Sequence, residues 1–234
     1  MKRVIAAILL FGLGLAVADS GGPTVRAATL TVCAEGCQYS SIQAAMSNAQ
    51  DGDVISVGAG TYTENLFFTA KSTPPVTAMT LTVMGAGADQ TTIVSSGSID
   101  FGGSVVFIDN DYDVSISGVT ITGGRGGLTG GGILSSGNLT LHDSVVSNST
   151  ATYGAGLYLS GTATLVDTQV ISNTAEDNGG GIWSAGTLTL IDSTVTGNTA
   201  GKSGGGILNG GGVVRLQSSN VTGNTPDNCA GTSC

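Results

Sequence analysis

The chain has 234 residues, of which 39 are Gly, 4 are Pro and only 10% are charged, while 40% are hydrophobic. That composition excludes a disordered chain and argues against a helical one; Val, Ile and Leu beside Thr, Ser and many glycines fit a single all-β domain with many turns. The formal net charge of −9 repels nucleic acid and anionic membranes, so partners bound through phosphate backbones are excluded as well.

At the N-terminus, Lys2 and Arg3 precede an apolar run from Val4 to Val17 that ends in small residues, the pattern of a secretory signal. The run is short for a bilayer span, so a membrane anchor is the less favoured reading. Small residues permit cleavage after Ala18 or after Ala27; the second is preferred because the ordered pattern begins there. Removal of residues 1–27 takes away Lys2, Arg3, Arg26 and Asp19. Lys71, Arg125, Lys202 and Arg215 then face all but one of the 16 acidic residues, a net charge of about −11.

Cys33 and Cys37 follow, and Cys229 and Cys234 close the chain. Export permits disulfides. Of the three formal pairings, the local ones, Cys33–Cys37 and Cys229–Cys234, would pin the two ends of the domain; a zinc site is the rival, but no His lies near either pair. Next, Ile42, Ala45, Met46 and Ala49 recur at helical spacing behind Ser40 and Gln43, which match a capping box. A short amphipathic helix there would cover the first coil of the sheet structure that follows. Strands are expected at 53–57, 81–85, 91–95 and 105–109. Asp109, Asp111 and Asp113, in DNDYD, begin like a calcium loop but fail the EF-hand pattern, since Val114 stands where the glycine belongs and Thr120 where the closing glutamate belongs.

From Gly130 onward the chain repeats. Four copies begin at Gly130, Gly154, Gly179 and Gly204, with periods of 24, 25 and 25 residues, and a degenerate copy runs from Asp113 to Gly124. The apolar columns are Ile133, Leu157, Ile182 and Ile207; Leu139, Ala163, Leu188 and Val214; Leu141, Leu165, Leu190 and Leu216; and Val146, Val170, Val195 and Val221. Within a copy, Leu188 and Leu190 alternate with Thr187, Thr189 and Ile191, which puts the leucines on one face of a strand. Three short strands and three bends per copy fit one coil of a parallel β-helix; a β-propeller blade needs about 40 residues. Ser149, Asn173, Asn198 and Asn224 are expected at left-handed bends, hydrogen-bonded to the coils above and below. The stretch GNTAGKSGGG, Gly197 to Gly206, has one residue too few between its glycines for a phosphate loop; Lys202 aligns with Tyr153 and Asp177 and reads as an exposed turn. From Asp53 to Asn228 there is room for about seven coils, or about 35 Å.

The segment SIQAAMSNAQDGDVISVGAGTYTENL resembles the N-terminal part of secreted right-handed β-helix proteins, including the pectate-lyase-like group and the pectin methylesterases. The repeats, opening with GGGI or GAGL and closing with VTGN or VISN, are similar to those of polymorphic outer membrane proteins and related bacterial surface proteins. The resemblance implies the fold across almost all of the chain after residue 27. It leaves the activity open, because lyases, hydrolases, esterases and adhesins share this architecture. Lyases of the fold abstract a proton with Arg or Lys beside calcium-bound carboxylates, and its esterases and hydrolases use two or three Asp on neighbouring coils.

Asp143, Asp167 and Asp192 share one column, so they should stack about 4.8 Å apart, where two carboxylates repel by about 0.9 kcal/mol in water and about 3.5 kcal/mol at an effective dielectric of 20. Each precedes Ser144, Thr168 or Ser193, which suggests an Asp accepting backbone N–H bonds at a bend. A calcium stripe along the column and catalytic carboxylates are the rival readings. The residues that break the repeat are few. Arg125 lies in a glycine-rich run, where a solvated loop arginine is a better reading than a catalytic base, and Arg215 takes an outward position. His142 is the sole histidine and lacks a nucleophile partner, so it reads as a surface residue. Tyr158 and Trp183 share an outward column one coil apart; ordinary packing against the next coil is the favoured reading, and a platform for sugar rings is the rival.

The sequence therefore specifies an all-β, single-stranded, right-handed parallel β-helix with a short N-terminal capping helix. The expected divisions are a signal at 1–27, a β-helix at 28–228 with full repeats at 130–228, and a Cys-closed tail at 229–234. No catalytic residue is assigned. The expected function is a secreted or cell-surface, non-enzymatic, adhesin-like protein that binds polysaccharide; the alternative is a polysaccharide-acting lyase, esterase or glycoside hydrolase. The ligand candidates are Tyr158 and Trp183, and the calcium candidates are Asp109, Asp111, Asp113, Asp143, Asp167 and Asp192. No other cofactor, no nucleic acid and no transmembrane segment after residue 27 is expected, and end-to-end self-association is.

Overall fold

Short strands with alternating apolar residues, separated by bends at constant intervals, can stack like on like, so that each coil satisfies the backbone groups of the one before. The computed structural model describes residues 27–69 and 79–234, and there neighbouring strands pair in parallel. The signal expected at 1–27 falls outside the described residues apart from Ala27, and so does Lys71.

One coil is typical. Ile182–Ser184, Thr187–Ile191, Thr194–Thr196 and Thr199–Ala200 each belong to a different sheet. Sheet A has eight strands and ends in Thr187–Ile191 and Val213–Gln217; sheets C and B, which hold Ile182–Ser184 and Thr194–Thr196, have seven each; sheet D has three, Thr150–Tyr153, Thr174–Asn178 and Thr199–Ala200. The sequence led to three strands per coil and about seven coils. Sheet D supplies a short fourth strand in three consecutive coils, and Thr29–Val32, upstream of the stretch counted, supplies the eighth rung of sheet A.

The expected columns are in register: Ile133 pairs with Leu157, Leu157 with Ile182 and Ile182 with Ile207, while Leu141, Leu165, Leu190 and Leu216 follow one another in sheet A. Leu188, Leu190, Val195 and Ile182 are fully buried. Each such side chain contributes about 1.5–3 kcal/mol by leaving water.

Two corners use left-handed backbone. Between sheets A and B it falls on Asp143, Asp167, Asp192 and Ser218, with φ from 46 to 49°. After sheet B it falls on Gly123 and then on Asn148, Ser172, Gly197 and Gly223, the residue before each position of the expected asparagine column. The asparagines themselves do different work. Asn173, Asn198 and Asn224 are buried, and each side-chain oxygen accepts the backbone N–H of the residue one coil back: Ser149, Asn173 and Asn198, all at 3.0 Å. An amide carries donor and acceptor on one short stem, so it can bridge coils inside the corner, while the preceding residue takes the unusual φ.

At the N-terminal end, helix α1 (Ile42–Asn48) buries Ile42, Ala45 and Met46 over the first coils. Its cap is Ser41 rather than Ser40, and Gln43 does not close a capping box. Glu64 does that work from a neighbouring coil, accepting the N–H groups of Ile42 and Gln43, both at 2.9 Å, and the Ser41 hydroxyl at 2.7 Å. The freed Gln43 side chain accepts from Phe67 N–H instead. Both local disulfides form, Cys33–Cys37 and Cys229–Cys234. Just after Cys37, Gln38 and Tyr39 hydrogen-bond Thr31 and Cys33 along the outer edge of the first strand of sheet A. At the other end, Cys229–Ala230 covers the last strand of sheet C, but sheets A and B end at Val213–Gln217 and Asn220–Thr222. There Val214 and Leu216 are half-buried, while Leu188 and Leu190 one coil below are fully buried.

Candidate functional site

The corner between sheets A and B carries the acidic column. The left-handed φ explains the residue type, since Asp tolerates this region better than most side chains. The Asp carboxylates do not accept the backbone bonds that the sequence suggested. The neighbouring hydroxyls do: Ser144, Ser193 and Ser219 accept N–H from Val119, Thr168 and Ser193, and Ser144, Thr168 and Ser193 donate to carbonyls two residues back. A hydroxyl reaches both groups from inside the corner, and the carboxylates of Asp143 and Asp167 stay on the outside, more than half exposed.

His142, in register with Ser117 and Val166, sits among them. Its Nδ1 lies 2.7 Å from Asp143 Oδ2 and its Nε2 lies 3.8 Å from Asp167 Oδ2. Among the described residues these three form the one group of three or more His, Cys, Asp or Glu side chains close enough to share an ion. Asp192, one coil further on, is outside the group, and so are Asp109, Asp111 and Asp113. Asp109 accepts from Asn110 N–H and its carbonyl holds a turn, the Asp111 carbonyl accepts from Met79 N–H on the neighbouring coil, and Asp113 points outward from sheet A, in register with Thr80 and Asn138. The surface reading of His142 holds for its exposure and misses its two acidic neighbours, which come from its own coil and the next.

The outer face of sheet C is different in character. Phe67, Phe107, Leu134, Tyr158, Trp183 and Leu208 lie in one register column, all half-buried. Tyr158 and Trp183 stack with ring centroids 4.2 Å apart and planes within 5°. Rings so close and parallel on successive coils face along the rod and onto each other, and Gly210 closes against the far side of Trp183. Their edges carry the polar atoms, and neither Tyr158 Oη nor Trp183 Nε1 has a hydrogen-bond partner among the described residues. Burial raises the Tyr158 hydroxyl above its ordinary pKa, so it stays a neutral donor. Phe101, at φ 45°, lies over Phe67 and Phe107 with centroids 4.9 and 4.5 Å away. The sequence reading missed this second aromatic cluster, because 40 residues separate Phe67 from Phe107 and the 25-residue period does not reach that far.

Arg125 is exposed and its backbone N–H donates to Gly103. Lys202 is exposed as expected, and with its repeat-mates it forms a small polar group: Lys202 Nζ lies 2.7 Å from Asp177 Oδ2, which also accepts from Tyr153 Oη at 3.0 Å. The Lys202 hydrogen bond lowers the Asp177 pKa, and Asp177 raises that of Lys202. Arg215 points outward from the last strand of sheet A, beside Thr189.

No protein-family model matches the chain, and no curated protein sequence does. Solved structures do. A pectin methylesterase from Erwinia chrysanthemi is similar with a TM-score of 0.52 and 14% identity over 80% of this chain, which spans 66% of that protein. A pectin methylesterase from carrot is similar with a TM-score of 0.50 and 12% identity, covering 90% of this chain and 88% of that one. The expected right-handed parallel β-helix of the pectate-lyase-like type is thus the fold, and at such identities the likeness speaks to fold alone.

Proposed function

We propose that the protein acts on a polysaccharide outside the cell, with the coil stack as its scaffold. The observation that supports an enzyme is the likeness over most of the chain to two pectin methylesterases; it weighs toward the enzymatic alternative and against the adhesin-like reading first drawn from the sequence. Two disulfides fit an oxidising, extracellular setting. Among the described residues no helix is long and apolar enough to cross a membrane.

The acidic surface selects among substrates. A chain of net charge −9 repels a polyanion such as polygalacturonate and accepts its methyl-esterified, uncharged form. A second reading, binding without turnover, is supported by the outer column of sheet C, where the edges of Tyr158 and Trp183 offer free donors to sugar hydroxyls.

One experiment separates the two. The chain is incubated with highly esterified and with de-esterified pectin, with and without calcium, and methanol, reducing ends and unsaturated ends are followed. Turnover on the esterified polymer is expected. Retention on immobilised esterified pectin without turnover, weakened roughly tenfold in Trp183→Ala, would establish the binding reading in its place. Neither turnover nor retention would remove both.

A further inference from the structure

We propose that His142, Asp143 and Asp167 form a site for one transition-metal dication of the zinc or copper class. His142 Nε2 and the Asp167 carboxylate are its ligands, and Asp143 orients the imidazole.

Three observations converge. First, the 3.8 Å between His142 Nε2 and Asp167 Oδ2 is too long for a hydrogen bond. It suits two donors on a shared ion, whose bonds to nitrogen and oxygen are about 2.0–2.2 Å. Second, the other ring nitrogen has a carboxylate beside it, since Nδ1 lies 2.7 Å from Asp143 Oδ2. When Nδ1 carries the ring proton beside that carboxylate, Nε2 is left as the free ligand atom 3.8 Å from Asp167, the carboxylate–histidine arrangement by which proteins fix a metal-binding tautomer. Third, the corner hydroxyls of Ser144, Thr168 and Ser193 make the backbone bonds, so no protein donor other than His142 reaches Asp143 or Asp167 among the described residues. Two carboxylates one coil apart without donors attract a cation.

The nitrogen ligand decides which cation. Calcium takes six to eight oxygen donors, and a calcium stripe would have to use Asp192 as well, which lies outside the group. Imidazole with a carboxylate suits zinc, copper or nickel, and the exposed corner leaves the remaining positions to water. The left-handed backbone at Asp143 and Asp167, with φ of 46 and 47°, sets both carboxylates on the same outer corner.

His142 is the only histidine in the chain, so its imidazole proton resonances report the site without assignment ambiguity. The full chain, disulfides intact, is titrated with zinc, copper and calcium chlorides. Zinc is expected to shift these resonances to an endpoint at one equivalent, and substoichiometric copper to broaden them. Calorimetry is expected to show zinc affinity falling at least tenfold in His142→Ala and in Asp167→Asn and unchanged in Asp192→Asn, with circular dichroism confirming that each variant is folded. The proposal is overturned if zinc leaves the imidazole unmoved, if His142→Ala binds zinc as the parent does, or if calcium moves the resonances as zinc does.

Discussion

Asn198 shows how one side chain ties three coils. Its oxygen accepts from Asn173 N–H and Nδ2, and its own Nδ2 donates to Val170 and Thr196 carbonyls and to Asn224, all without contact with water. Replacing it by Ala leaves the Asn173 N–H and the Val170 carbonyl buried and without that partner. Asn198→Ala is therefore expected to lose about 3 kcal/mol of stability, read from the midpoint of urea unfolding at unchanged slope. A loss below about 1 kcal/mol would mean that the ladder is ornamental to the corner. The exposed Asp167, at the other left-handed corner, has a different logic, since its residue type answers to backbone φ and its carboxylate remains free for other work.

At the scale of the element, the corner between sheets C and A is set by how closely successive coils approach. Gly137, Gly161, Gly186 and Gly212 stand one above another there, and a Cβ on Gly161, Gly186 or Gly212 would run into the carbonyl of the glycine one coil below. The constraint is close approach of backbone to backbone, which no rotamer change relieves. Gly186→Ala is expected to cost about 3 kcal/mol, because a whole coil has to move. Gly127, whose added Cβ would meet nothing closer than 3.9 Å, should tolerate Ala within about 0.5 kcal/mol. Equal effects of the two substitutions in thermal unfolding would refute the distinction.

Among the described residues the coil stack has unlike ends. Helix α1, Glu64 and the segment just after the Cys33–Cys37 loop occupy the N-terminal edges, whereas Val213–Gln217 and Asn220–Thr222 have a strand on one side only among the described residues. In a parallel ladder alternate residues point their N–H and C=O away from the neighbour, so Val214 and Leu216 present an open edge beside half-buried apolar side chains. Self-association through this end is expected to be tail to tail and to stop at a dimer, since the capped end cannot propagate a filament. Light scattering should show the mass doubling with concentration; a constant monomer mass up to millimolar concentration would contradict it, as would open-ended growth.

The repeat itself carried most of the fold. Columns such as Leu141, Leu165, Leu190 and Leu216 could be aligned because a solenoid converts a fixed sequence interval into a fixed spatial one, so period alone places residues side by side. The helix, the strands at 54–57 and 91–94 and the two local disulfides followed from patterning and spacing over a few residues. What the period did not determine were relations that depend on direction or on irregular coils. Ring orientation made Tyr158 and Trp183 a pair joined by their faces, and the Phe67, Phe101 and Phe107 cluster spans coils of unequal length. Side-chain direction at the corner gave the backbone bonds to Ser144 and Thr168 and left two carboxylates facing His142. Composition and period state which residues are neighbours; only the folded chain states which atoms of those neighbours point at one another, and the chemistry of a site resides in that difference.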